Sequence, residues 1–409
     1  MNPIYSIAIK NIKANKKRSF VTIFLTMCST AILIFISAFM DGSHNKMLQN
    51  AVELYSGYIQ VAHKDFKSNP SFDNLIFNRD KTIKTIENND GVELVSSRFE
   101  TFVLLSSSNK SIGVSITSIE PLKEERLSIL KNSLVKGEYL NAKDTNSLYI
   151  GYELAKRLKV DIGDELSFVG TGADYSFCAD IVKVKGIFQT GLYEFDSNSA
   201  FLNQKYFDEV FVSSNMATKL IILPKNKKDS QLLSDNINKI IDKELVSKNW
   251  KEFMESFVRA MELDSIFGYF TIAIFFIVIF FVILIYTLLV VYSRIKEIGV
   301  LRAIGTTKNQ ILQMLIFESL VLSTISVIIG GVIGAYLAYY FSINPIELGA
   351  SYNEQFKQYG LMATNLPTEF NLITIFRDMF IMFVLNILST LYPILNVNRY
   401  KPVEAINHV

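Results

Sequence analysis

Four stretches of this chain carry no charged residue over a length that can cross a bilayer, which takes about 20 apolar residues. They are 19–40, 265–293, 319–346 and 379–398. Runs of this length are too long for the core helices of a soluble protein, so the pattern predicts four transmembrane helices. The long segment between the first two reads differently. Runs at 58–62, 101–105, 111–119, 147–150, 165–169, 181–188, 200–202 and 219–223 read as strands, several with period-two alternation. Residues 152–158 and 229–245 read as helices. No period of 20–50 residues repeats there, which excludes a solenoid, and the segment is large enough to bury its own core.

The predicted architecture is therefore a membrane protein, α-helical with four transmembrane helices plus a large α+β extracytoplasmic domain inserted between helices one and two. Its boundaries are 1–18 for an amphipathic N-terminal segment, 19–42 for the first span, 43–264 for the inserted domain and 265–293 for the second span. A coupling segment at 294–310 follows, then the third span at 311–342, an outer loop at 343–372, the fourth span at 373–398 and a tail at 399–409. The first span is expected to be an anchor rather than a cleaved leader, because it is too long for a signal core and no small-residue cleavage site follows.

Lysine and arginine near the span ends orient the chain. Lys10, Lys13, Lys16, Lys17 and Arg18 precede the first span with no acid among them. Arg294, Lys296, Arg302 and Lys308 lie between spans two and three against Glu297, whereas the 343–378 connection carries Glu347, Glu354, Glu369 and Asp378 against Lys357 and Arg377. Both termini and the 294–310 turn are expected in the cytoplasm. Ile4, Ile7, Ala8 and Ile12 recur at helical spacing among the lysines, which suits an interfacial amphipathic helix or a plain basic flank. Trp250, Phe253, Phe257, Met261 and Leu263 fall mainly on one face. With no Gly or Pro before Gly268, that helix is expected to run on into the second span as a stiff stalk.

Composition adds exclusions. The chain is 50% hydrophobic with a net charge of +2, which is not the basic balance of a nucleic-acid binder. None of the 19 glycines is followed by lysine, so a phosphate-cradling G-x-x-x-x-G-K-[ST] loop is missing and no nucleotide chemistry is expected. His44, His63 and His408 are dispersed, with no ligand neighbours at metal spacing. No catalytic residue, metal or bound cofactor is expected of this chain by itself. Cys28 falls in a span and Cys178 outside, so they are not expected to pair. The spans are almost free of ionisable residues, which suits lipid chains or force transmission better than a polar route.

The strongest motif is R-I-K-E-I-G-V-L-R-A-I-G, Arg294 to Gly305. Ile295, Ile298, Leu301 and Ile304 form an apolar stripe among Arg294, Lys296, Glu297 and Arg302. Such a short helix suits a groove on a partner, and it equally suits a positive-inside loop with none. In the third span Gly330, Gly334 and Ala338 form a small-residue stripe, for helix packing or for a moving substrate surface. Glu318 sits where that span leaves the interface, as a plain interfacial carboxylate or as an anchor for Arg302 or a partner. Pro393 is expected to kink the fourth span or start its exit.

The motif, extended through Gln310, Ile311, Glu318, Ser319 and Leu320, resembles the signature of the FtsX/MacB/LolC–LolE permease superfamily. K-G-E-Y-L (136–140), I-G-Y-E-L-A-K-R-L-K-V-D-I-G-D-E-L (150–166), V-K-G-I-F-Q-T-G-L-Y-E-F-D (184–196) and P-V-E-A-I (402–406) are similar to other parts of that family. The resemblance implies that Arg294, Lys296, Glu297, Ile298, Leu301, Arg302 and Gly305 dock a cytoplasmic ABC ATPase subunit, which would supply ATP and Mg. It also implies a second permease subunit, either an identical copy or a paralogue, in the bacterial inner membrane. A start only 18 residues before the first span and a large outer segment look most like LolC/LolE, which release lipoproteins to a periplasmic carrier. In LolC a long hook engages that carrier; here the same interval is short, Gly170 to Asp180. The alternative is MacB- or FtsX-like mechanotransmission to an efflux partner or cell-wall enzyme.

Overall fold

The computed structural model describes residues 3–108, 110–347 and 365–397. Contacts divide the chain into a unit built from 1–46, 262–347 and 365–409 and a second built from 47–261 and 348–364. The 402–406 motif, Arg399, Lys401 and His408 lie outside the described residues.

In chain order, α1 (Pro3–Ala14) leads into α2 (Lys16–Ala51), prolonged by a π-helical turn, Val52–Ser56. Then come β1 (Ile59–His63), α3 (Arg79–Glu87), β2 (Val92–Ser106), β3 (Ser111–Ile119), α4 (Pro121–Leu127) and β4 (Leu134–Gly137). Next are β5 (Ser147–Gly151), α5 (Tyr152–Leu158), β6 (Glu165–Thr171), β7 (Phe177–Phe188), α6 (Tyr193–Asn198), β8 (Ser199–Asn203) and α7 (Gln204–Val210). The inserted domain closes with β9 (Lys219–Pro224), α8 (Ser230–Asn238), β10 (Leu245–Asn249) and α9 (Trp250–Phe253). The chain then runs through α10 (Glu255–Tyr292), α11 (Ile295–Ala303), α12 (Lys308–Ile343), the two-residue strands β11 (Ile346–Glu347) and β12 (Asn365–Leu366), and α13 (Leu372–Val397).

β2 serves two sheets. Its first half pairs with β9 in an antiparallel sheet ordered β10–β1–β9–β2. From Phe99 onward it pairs with β3 on one edge and β6 on the other. The pairs β3–β8, β8–β5, β5–β7 and β7–β6 then close a ring of six strands, with β3–β8 and β5–β7 parallel. Alternation along each strand sends every second side chain inward. Val103, Leu105, Val114, Ile116, Leu148, Ile150, Leu166 and Phe168 fill the ring, while Phe102, Leu104, Val169 and Phe177 stay outside. On the open sheet, Ile59, Val61, Val95, Leu220 and Ile222 pack against Ile83 and Ile86 of α3 and Leu233 and Ile237 of α8.

Two expectations need correction here. The helix read over 229–245 ends at Asn238, and Leu245–Asn249 is a strand instead. It pairs in register with β1, Ile59 opposite Asn249, so ladder formation on a free edge outweighs the local helical pattern. The stalk is interrupted at Met254, and one helix runs unbroken only from Glu255. Residues 170–180 form the turn of the β6–β7 hairpin and part of its strands. Cys178 in β7 is a buried, unpaired thiol, and Cys28 is unpaired too.

The segments at 136–140, 150–166 and 184–196 meet in one corner. Gly137 pairs with Gly186 between β4 and β7. A Cβ on Gly151 would lie 2.1 Å from the Asp196 carbonyl oxygen, so only glycine allows this approach. The Asp196 carboxylate accepts from the Thr190 and Gly191 amides and from the Thr190 hydroxyl, closing the loop before α6. These contacts hold the loop and the strands together.

A charge cluster sits where β2 changes sheets. Arg98 and Glu124 have fully buried side chains, 2.5 Å apart at Nη2–Oε1. Arg98 also donates to the Tyr55 carbonyl in the π-helical turn and lies over the Tyr55 ring at 3.9 Å. Beside it Lys219 meets Glu100 at 2.6 Å. Burial alone raises the Glu100 carboxyl, but Lys219, with Tyr55 and Arg98, outweighs it and holds the group below the usual carboxylate range. The folded value lies below the unfolded one, about 4.3. This group's contribution to stability is therefore present above about pH 4.3 and lost as pH falls through the depressed folded value. Acid titration followed by near-UV circular dichroism is expected to show the domain loosening below about pH 4.3, with Glu100→Gln flattening that limb.

Among the described residues, the other unit contains four helices long and apolar enough to cross a membrane, α2, α10, α12 and α13. α12 packs on α2 through its small-residue stripe. A Cβ on Gly330 would lie 2.6 Å from the Met27 carbonyl oxygen, and one on Gly334 would lie 2.9 Å from Ile34 Cβ. Ala338 is buried, and its carbonyl accepts the Thr368 hydroxyl at 2.5 Å. Pro393 lies inside α13, close to its end at Val397.

Candidate coupling site

The segment between the second and third spans folds as α11, between two sharp local signals. It ends at Gly305, which adopts φ +105°, a conformation suited to glycine. Thr307 then caps α12 with Gln310 in a reciprocal capping box. Both signals are present in G-T-T-K-N-Q.

Three of the four stripe residues, Ile295, Ile298 and Leu301, do not face outward as expected; Ile304 does. Ile295 and Ile298 are buried against Ala8 of α1, Val291 of α10, Ile311, Met314 and Leu315 of α12, and Ile394 of α13. Leu301 packs partly against the same cluster. α1 makes this possible by folding onto α12: the Tyr5 and Phe317 rings are 4.5 Å apart. Burying these side chains on the chain itself removes apolar area from water at about 25 cal/mol per Å² without any partner. Ile298 and Leu301 are therefore core residues of this corner. The free face of α11 consists of Lys296, Glu297, Val300, Ile304 and Gly305, with Val300 50% and Ile304 78% exposed. Arg302 is partly buried. A groove of about 370 Å³ beside this face is lined by Ile7, Asn11, Arg294, Glu297, Ile298, Val300 and Leu301.

Arg294 also departs from expectation. It is buried, with Nη1 2.8 Å from Glu318 Oε2 and Nε 3.2 Å from Glu297 Oε2. Glu318, read as a plain interfacial carboxylate or as an anchor for Arg302 or a partner, holds Arg294 and also Arg18, whose Nη2 is 2.8 Å from Glu318 Oε1. Reading the sequence missed Arg18 in this role. The available signal was a lone arginine and a lone glutamate, each at the same edge of a charge-free run, where unpaired charge is costly.

Ionisable groups thus gather at the ends of the bundle. At the opposite end, Arg377 pairs with the buried Asp378 at 2.9 Å and donates to Ser37. A cavity of about 360 Å³ there is lined by Asp41, His44, Asp264, Glu369 and Arg377. Between the two ends the buried polar groups are hydroxyls and an amide. Asn386 donates to Thr26, Thr30 to the Thr26 carbonyl and Ser326 to the Leu322 carbonyl.

A four-helix membrane unit with an inserted mixed domain after its first span and a short packed helix between its second and third defines a multi-pass membrane protein of the permease class. The chain belongs to the ABC transporter permeases that combine two matched domains: residues 19–240 match the MacB-like periplasmic core domain and residues 269–402 the FtsX-like permease C-terminal domain. It is 24% identical to an uncharacterized ABC transporter permease of Methanocaldococcus jannaschii, over 83% of this chain and 84% of that one. It is 21% identical to the macrolide export ATP-binding/permease protein MacB of Campylobacter jejuni, over 98% of this chain, and spans only 61% of that protein. It is 18% identical to the lipoprotein-releasing system transmembrane protein LolC of Neisseria meningitidis, over 98% of both chains.

Proposed function

We propose that this chain is the permease subunit of an ABC transporter whose ATPase is a separate cytoplasmic polypeptide, and that it converts ATP hydrolysis into movement of the inserted domain. The observation that carries this reading is α11, a short helix anchored by its apolar face and presenting Lys296, Glu297, Val300 and Ile304. Basic residues crowd this end of the bundle, which supports a cytoplasmic location by the positive-inside rule. The other end and the inserted domain then lie outside, with two permease subunits engaging two ATPases.

Lipoprotein extraction from the inner membrane is the preferred task. It is supported by similarity to LolC over nearly the whole of both chains, and by the bundle's middle, where buried polar groups are hydroxyls and an amide rather than charges. Acyl chains can enter between such helices laterally at low cost. The tight β6–β7 hairpin favours a second reading, in which the inserted domain transmits force to an efflux partner or cell-wall enzyme and nothing crosses the membrane. An ATPase gene beside a lipoprotein-carrier gene supports the first; an adjacent membrane-fusion or murein-hydrolase gene supports the second.

Docking is tested with Val300→Asp/Ile304→Asp, two exposed positions whose change leaves the packed cluster intact. Co-purification of the ATPase in mild detergent is expected to fall at least tenfold while the permease's melting temperature stays unchanged. Retention of the ATPase at wild-type level sinks the assignment of this face. Ile298→Asp is expected to behave differently, lowering the melting temperature as well, because it places a carboxylate among Ala8, Met314 and Leu315.

A further inference from the structure

We propose that Glu318 is a positioning residue, and that the chain of charges Glu297–Arg294–Glu318–Arg18 carries the state of the α11 surface into the first span. The proposal rests on the reading of α11 as a docking helix only for what engages Glu297; the clasp itself stands on geometry.

The four groups form one line of contacts. Glu297 is 59% exposed on the free face of α11 and touches Arg294. Arg294 and Glu318 are nearly fully buried, and Arg18 is 18% exposed at the start of α2. Two cations and two anions balance. Arg294 has an anion at each side, and Glu318 has a cation at each side. A buried ion pair breaks even only when its charges are compensated; removing one partner leaves an uncompensated charge at high cost. If a cation on a docking protein engages Glu297, Arg294 loses one of its two anions. Glu318 is then left alone between two guanidiniums. The bundle must answer by moving Arg18 or Arg294, and Arg18 is fixed to the start of the first span.

There is room for that answer. A cavity of about 50 Å³ adjoins the clasp, lined by Arg18, Arg294, Glu318 and polar groups of the other helices, Thr287 and Asn386 among them. One water needs about 10–15 Å³ by this measure and two to four polar partners. The site can therefore hydrate a displaced guanidinium without repacking the helices. Docking and clasp geometry are thereby linked as two states with a coupling free energy, and the linkage is reciprocal.

The test is amide hydrogen exchange on the full chain in lipid nanodiscs, without any ATPase. Glu297→Gln changes one exposed side chain. It is expected to speed exchange at least threefold in residues 16–23 of α2 as well as in α11. Glu318→Gln is expected to speed both segments at least tenfold, with α10 and α13 unchanged and Glu318→Asp intermediate. Unchanged exchange at 16–23 in Glu297→Gln overturns the relay, and so does an equal rise across all four spans or a Glu318→Asp no better than Glu318→Gln. A second arm uses the complex with the ATPase that co-purifies. Glu318→Gln is expected to keep the ATPase bound and its KM for ATP unchanged while kcat changes at least fivefold; an unchanged kcat overturns the positioning role. If Val300→Asp/Ile304→Asp leaves the ATPase bound while the exchange results hold, the docking reading fails and the clasp stands.

Discussion

Glu124→Ala is expected to destabilise the inserted domain by about 3–5 kcal/mol, because it leaves the Arg98 guanidinium buried without its counter-ion. Neither side chain of the pair touches solvent, and two hydrogen bonds join them, at 2.5 Å and 3.1 Å. Arg98 cannot escape by losing its proton: burial alone lowers the guanidinium, but Glu124 and the neighbouring Tyr55 and Glu100 outweigh it and raise it further. It cannot reach water either, since it is packed over the Tyr55 ring. The damage is therefore expected to spread to the π-helical turn, whose Tyr55 carbonyl depends on Arg98. Thermal melting of the full chain followed by near-UV circular dichroism measures the loss. Replacing both partners, Arg98→Met/Glu124→Leu, is expected to recover most of it, because an apolar pair of similar volume carries no desolvation penalty. A double variant as unstable as the single one would show that the hydrogen bonds to Tyr55, and not the buried charge, dominate.

The second large effect is expected at Gly330. A side chain there meets the Met27 carbonyl oxygen at 2.6 Å and Thr30 Cβ at 2.8 Å, so backbone must yield rather than a flexible side-chain tip. Overpacking of this kind costs about 1–3 kcal/mol, and more when the obstacle is backbone. Gly330→Leu is expected to lower the melting temperature in detergent and to separate α12 from α2. Gly331→Leu provides the contrast. The three atoms nearest to an added Cβ there all belong to the flexible Met379 side chain of α13, so its effect is expected to be smaller. Equal losses from the two changes would remove the argument that α12 uses Gly330 for a close backbone approach.

Much of this architecture was legible in the chain. Each of the four charge-free runs became a long helix, because a run of that length has only one way to satisfy its backbone in lipid. The eight runs read as strands, several of them from alternation, are strands, and alternation also reports which side chains point inward, as Val103 and Leu105 do against Phe102 and Leu104. Leu134–Gly137 was too short for a period to show, and of Leu245–Asn249 only Leu245 was read at all, as the end of a helix, before the free edge of β1 claimed the segment. The close approach at Gly151 was signalled only by the glycine itself. Its partner, the Asp196 carbonyl, lies 45 residues on and has no local mark.

The coupling segment shows the division best. Charge located it between two spans, and its periodicity with Gly305 at the end suggested a short helix there. Periodicity also revealed that α11 is amphipathic. A period records that one face seeks cover but not what supplies it. Tertiary structure gave that cover to Ala8, Met314, Leu315 and Ile394, contributed by three separate helices, and so left Glu297, Val300 and Ile304 exposed. It likewise matched Glu318 with an arginine 300 residues away and another 24 away. Charge pairing inside a bundle is decided by distance in three dimensions, where burial makes every unpaired charge costly, and spacing along a chain carries no record of it.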